Sequence, residues 1–180
     1  QRKAAEIGLP IAAFDSFEPW FFVLSLVTLK LQSLGFDPNY GVDRYFFNQA
    51  VQANKEILGL ETVSDQLSLF DNLSAQDQEA YVQQTLLEFD TLETSFQSII
   101  DAWKAGDAET LGNLIFESFE QYPAIRQKLF DERNQKWVPQ IEALLQQDDD
   151  YLIVVGAGHL IGEGSVIDLL QDKGYVAKQF

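Results

Sequence analysis

The chain has 180 residues, with 12 Lys+Arg against 28 Asp+Glu, a formal net charge of −16, one His, no Cys and no Met. An apolar fraction of 46% fits a globular domain and argues against a disordered acidic polymer. Without cysteine there is no disulfide framework, thiolate zinc site or thiol nucleophile, and an acidic surface with no basic, aromatic-interleaved patch excludes nucleic acid as a partner.

The sequence opens at Gln1 with no methionine to mark a translation start, so it reads as a piece of a longer chain, with no secretory signal in what remains. Gln1 to Ala13 reads as a short charged helix running into an apolar segment of strand character, Leu9-Pro10-Ile11-Ala12-Ala13. Ser16 and Pro19 mark a helix start and Gly35 with Pro38 its stop. Glu18 to Leu34 is therefore predicted as a helix that is apolar on most sides and central. Its oiliest stretch, Trp20 to Leu29, rises ~1.5 Å per residue and falls short of a ~30 Å bilayer core, so no membrane span is expected. Gly41 to Asn54 is predicted as a helix with Val42, Tyr45, Phe46 and Val51 on one face, followed by a strand-length run, Glu56 to Leu60.

Ser74 with Asp77 resembles a capping box. From there Tyr81, Thr85, Phe89, Leu92, Phe96, Ile99 and Trp103 form a single stripe, which predicts one continuous helix as far as Gly106. Asp107 is placed to cap the next helix, and Pro123 opens another. Asp148-Asp149-Asp150 reads as a solvated turn, since it lacks the spaced ligands of a calcium loop. Tyr151 to Val155 is a β-branched run suited to a strand buried on both faces. A glycine loop, a helix from about Ser165 to Gln171, a stop at Gly174 and a last strand, Tyr175 to Phe180, follow it. Strand, loop, helix, strand is by default a right-handed parallel unit.

Three places could carry chemistry. The glycine loop follows a predicted strand, where α/β sheets bind ligands; Gly156 and Gly158 allow close backbone approach for a bound group, and His159 is the sole imidazole. A dinucleotide fingerprint fails, because the acidic residue at the end of the next strand is missing. His159 itself reads equally as a hydrogen-bonded structural residue. In the helix opened by Pro123, Ile125, Leu129, Trp137 and Ile141 fall at four-residue spacing and Arg133 occupies the missing rung, with Asn134 beside it on the face of Phe130 and Val138. A guanidinium in an apolar seam must be paired. It either snorkels, bonding Asp131 or Glu132, or points into a polar pocket to polarise a carbonyl. Glu61, directly after the predicted strand that ends at Leu60, either caps the next helix or joins His159 in a site for a hard divalent ion such as manganese.

Tyr151 to Gly162 (YLIVVGAGHLIG) resembles the C-terminal signature of the TraB/GumN family, related to the Tiki metallopeptidases and more distantly to erythromycin-esterase-like enzymes. Gly41 to Phe46, Gly59 to Thr62, Ala102 to Asp107 and Arg133 to Trp137 match it in order. The resemblance implies an active site with two GxxH motifs, a glutamate from an early strand and an arginine from a late helix. Gly156 to His159 matches the second GxxH and Arg133 the arginine, while the first GxxH and the early glutamate would precede Gln1.

The expected architecture is thus α/β and α-rich, a single domain over residues 1–180. A small, mostly parallel C-terminal sheet over 151–180 lies under a helical lid over 18–147. The expected function is the C-terminal part of a metal-dependent hydrolase, a peptidase, with His159 as metal ligand or base and Arg133 stabilising charge. That part would be inactive without the preceding strands. The alternative is a non-catalytic module that binds a peptide signal or assists polysaccharide export. A peptide or other small substrate is the expected partner. Pairing of copies at an exposed sheet edge is also expected, and the resemblance suggests an exported bacterial protein.

Overall fold

The computed structural model describes residues 3, 5 and 8–180, apart from the side chain of residue 11. The predicted helix at the start of the chain falls largely outside them. By packing, the chain divides into two units, Gln1–Phe96 and Gln97–Phe180.

The first unit is built around α1 (Pro19–Ser33), with α2 (Val42–Gln52), α3 (Val63–Asp71) and α4 (Ala75–Glu88) following it. Pro19 starts α1 where a missing N–H costs nothing, and the helix is central as its composition requires, with Trp20, Val23 and Leu26 buried. It packs on α4, and Leu9, Leu26 and Phe89 form a core edged by Phe14, Phe22 and Leu86. Trp20 fixes α3 to α1: its Nε1 donates to Asp71 Oδ1 at 3.0 Å, and its ring stacks on Phe70 with centroids 5.0 Å apart. A full capping box, Thr62 with Asp65, starts α3. At Ser74 the hydroxyl accepts the Asp77 N–H and donates to the Asp77 carboxylate instead. No residue of α2 is buried.

The single long helix expected after Ser74 is two helices, α4 and α5 (Leu92–Ala105). The break falls at Asp90 and Thr91, two poor helix formers, where the Thr91 N–H and hydroxyl both turn back onto the Glu88 carbonyl.

The second unit holds the end of α5, α6 (Ala108–Phe116), the short α7 (Pro123–Arg126), a π-helical segment Gln127–Asp131, α8 (Glu132–Leu145) and α9 (Val166–Asp172). α8 packs on α9. Asp107 caps α6, accepting the Thr110 N–H at 3.0 Å. That N–H, and after it the Thr110 hydroxyl, hold the Asp107 carboxyl below the usual carboxylate range. Since its folded value lies below its unfolded one, its contribution to stability is complete above about pH 4 and is lost as pH falls through the folded value. Asp107→Asn, which still caps, is expected to flatten the acid limb of a Tm-against-pH curve; parallel acid limbs in variant and wild type would refute this.

The expected α/β architecture is overturned: among the described residues there is no strand and no sheet, so no helical insertion packs over one. Ile11–Phe14 is a 3-10 turn rather than a strand, and 56–60 is irregular. Residues 151–155 and 175–180 are irregular, and no ladder pairs them. β-branched residues stiffen and extend a chain, but a sheet needs partners for each N–H and C=O. The run expected to be buried on both faces is one-sided: Leu152 and Val154 are exposed, Ile153 and Val155 half-buried. The sheet edge at which copies were expected to pair is not formed among these residues. Nor, among them, is any helix long and apolar enough to cross a membrane.

Candidate functional site

The site lies wholly within the second unit, where α7, the π segment and α8 run on as one helical stretch. A π-helical segment closes i→i+5 bonds and so holds an extra residue. After Ile125 the buried residues are Asn134, Trp137, Val138 and Ile141, with Trp137 and Ile141 still on the four-residue ladder, and Arg133 lies half-buried.

Arg133 Nη1 donates to the Leu129 carbonyl at 3.0 Å and lies 3.1 Å from His159 Nε2, and the guanidinium carbon sits 4.8 Å from the Trp137 ring centroid. The guanidinium thus meets a backbone carbonyl, an imidazole nitrogen and an indole ring.

His159 arrives from the other side on a 3-10 turn, Ala157–His159, closed by its own N–H to the Gly156 carbonyl at 2.9 Å. The ring is 6% exposed. It is held between Phe130, at 5.1 Å, and Trp137, at 4.5 Å between centroids. Gly158 makes this possible: a Cβ there would stand 2.8 Å from Phe130 Cε1. Gly156 is less constrained, a Cβ meeting His159 Cδ2 at 3.7 Å. Close approach was expected at both glycines; at Gly158 the group that comes close is the chain's own aromatic ring.

Asn134, noted in the sequence only as a neighbour of Arg133, completes the arrangement. It is 2% exposed, its Oδ1 lies 2.7 Å from His159 Nδ1 and its Nδ2 donates to the Gly164 carbonyl at 2.9 Å. The Gly164 peptide is itself pinned, its N–H donating to Asp168 Oδ2 at 2.7 Å, and its φ of +74° is one that glycine adopts without strain. Ser165, the cap of α9, accepts the Asp168 N–H. The signal that could have singled out Asn134 is a lone amide on the stripe of Phe130, Val138 and Ile141.

Glu61 belongs to the first unit, half-buried next to the Thr62 cap, and the contacts that define this site come from the second unit alone. Among the described residues no three His, Cys, Asp or Glu side chains group closely enough to hold a metal ion. The donor set does not fit a cation either. Both ring nitrogens of His159 face protein groups, a guanidinium lies against Nε2, and the orphaned buried polar atom here, Trp137 Nε1, is a donor.

Among known proteins, the chain is 25% identical over 171 residues to YbaP of Escherichia coli (strain K12), covering 95% of this chain and 63% of that protein. It is 27% identical over 161 residues to Metalloprotease TIKI2 of Xenopus tropicalis, covering 74% of this chain and 31% of that protein. To Metalloprotease TIKI1 of Danio rerio it is 24% identical over 160 residues, with 74% and 32% covered. The chain therefore spans less than two thirds of the length of these relatives. No solved structure matches it. The sequence profile of one family covers residues 1–179 of this chain, which belongs to the TraB/PrgY/gumN family.

Proposed function

We propose that this chain supplies the imidazole and the guanidinium of a hydrolase that cleaves peptide bonds. The observation that carries the reading is the 3.1 Å approach of Arg133 Nη1 to His159 Nε2, which sets a donor-only cation beside a group able to take a proton. In this role a bound substrate draws the Arg133 guanidinium off Nε2 to the oxygen on which negative charge develops, and the freed Nε2 of His159 accepts the proton of an attacking water. Trp137, whose ring touches both groups, adds a buried indole N–H without a partner, a second donor suited to a substrate carbonyl oxygen. The name of the TIKI relatives supports the peptidase class.

The test is hydrolysis of a mixed peptide library, followed by mass spectrometry, by the protein at its natural length. His159→Ala and Arg133→Ala are each expected to bring turnover to background, and Arg133→Lys to recover little of it, because one ammonium cannot reproduce the planar fork. Equal turnover by His159→Ala removes that residue from the mechanism.

A second reading has its own support. With His159 only 6% exposed and wedged between two aromatic rings, the same residues also suit a non-catalytic module whose polar cluster fixes the fold and whose task is to bind a peptide signal or assist polysaccharide export. A wild-type protein that captures library peptides without cleaving them would favour it.

A further inference from the structure

We propose that Asn134 is a positioning residue that keeps the ring proton of His159 on Nδ1 and so leaves the lone pair on Nε2, facing Arg133. Two constraints from opposite sides of the ring lead to the same proton placement. Arginine has only donors, so Nη1 at 3.1 Å from Nε2 requires a lone pair on that nitrogen. On the other side, the orientation of the Asn134 amide is set by the Gly164 carbonyl, which can only accept, so Nδ2 must face it and Oδ1 must face the ring. Oδ1 at 2.7 Å then requires a hydrogen on Nδ1.

The opposite tautomer would lose both bonds at once, setting N–H against N–H at one nitrogen and lone pair against lone pair at the other. With Asn134 only 2% exposed, water cannot replace the amide. The Gly164 carbonyl directly precedes Ser165, the cap of α9, and the Gly164 N–H on its other side donates to Asp168 Oδ2. The proton on His159 is thereby set by a backbone carbonyl through an amide rather than by a carboxylate. A neutral amide in this position fixes the tautomer without drawing the ring toward the imidazolium that a carboxylate would favour.

The positioning role rests on the hydrolase reading, in which a base needs its lone pair at Nε2; the proton placement does not. His159 is the sole imidazole in the chain. A long-range ¹H–¹⁵N spectrum of histidine-labelled protein therefore shows one ring without ambiguity. In wild type at neutral pH, Nδ1 is expected to resonate as a protonated, pyrrole-type nitrogen and Nε2 as a pyridine-type nitrogen. Asn134→Leu is expected to abolish this fixed pattern, and Asn134→Asp, which keeps an acceptor at Oδ1, to retain the Nδ1 proton. Far-UV circular dichroism checks that the variants fold. If neither folds, the wild-type spectrum alone decides.

A wild-type proton on Nε2, or an unchanged pattern in folded Asn134→Leu, overturns the proposal. The expected pattern in a protein that hydrolyses no peptide leaves the proton placement standing and removes the hydrolase reading.

Discussion

Replacing Phe89 by Ala is expected to lower the free energy of unfolding by about 3–5 kcal/mol, the cost of deleting a fully buried aromatic ring from a core that collapses only in part around the gap. Phe89 is 2% exposed and shares the first unit's core with Leu9 and Leu26, and Leu86 and Phe22 lie against that core. It is the C-cap of α4, just before Asp90 and Thr91. Lys30 Nζ lies 5.9 Å from the ring centroid, and its attraction to the ring face would be lost as well. With total stabilities of about 5–15 kcal/mol, the loss is a large share of what holds a domain together. Urea titration followed by far-UV circular dichroism checks it. A midpoint that falls at constant slope gives the cost directly, and a loss under about 1 kcal/mol would mean that the ring is not part of the core. Phe89→Leu, which refills most of the volume, is expected to cost less than half as much.

The same residue shows what the sequence could and could not convey. Periodicity identified Phe89 as inward-facing, because the apolar stripe from Tyr81 to Trp103 passes through it. It did not reveal the break, because a stripe can continue in register across a turn when both helices bury the same side. Helix starts were more legible: Ser74, Asp107 and Ser165 each accept the N–H three residues on, and Pro19 and Pro123 stand in the first turn, both being signals local to a few residues. The expected strands failed for the opposite reason. Tyr151 to Val155 and Tyr175 to Phe180 carry the right composition, but a sheet is a property of a pair of segments, and nothing local to either segment supplies the pair.

The site was legible in its chemistry more than in its geometry. A solitary imidazole after a glycine loop and a guanidinium interrupting an apolar ladder are both anomalies of residue type. The structure places the two 3.1 Å apart. The four-residue ladder assumed an unbroken α-helix; Ile125, Trp137 and Ile141 are buried as it placed them, but beyond the π segment Gln127–Asp131 the polar residue that is fully buried is Asn134, and Arg133 is half-buried. A helix that changes its hydrogen-bonding pattern partway leaves no periodic trace over five residues.

Gly156 and Gly158 looked equivalent in the sequence, and substituting each by Ala separates them. Neither has a positive φ, so neither change strains the backbone, and only the surroundings of the new methyl group differ. At Gly156 that group meets His159 Cδ2 at an ordinary 3.7 Å. The variant is expected to be neutral, or stabilised by about 0.4–1 kcal/mol through the loss of unfolded-state freedom. At Gly158 the methyl would lie 2.8 Å from Phe130 Cε1 and 3.5 Å from Ile115 Cγ2. The Phe130 ring has little room to yield, since Phe116 stands 5.2 Å away and Phe119 5.6 Å away, both edge-on, with His159 on a third side. Overpacking of this kind costs about 1–3 kcal/mol, and the displaced ring should move His159 with it. Combining Gly158→Ala with Phe130→Leu removes the clash, so the pair is expected to be less destabilised than the sum of its parts by about 0.5–3 kcal/mol. Strict additivity in a denaturant-unfolding cycle, together with an unshifted His159 ring resonance in the single variant, would show that the glycine is there for some reason other than the approach of that ring.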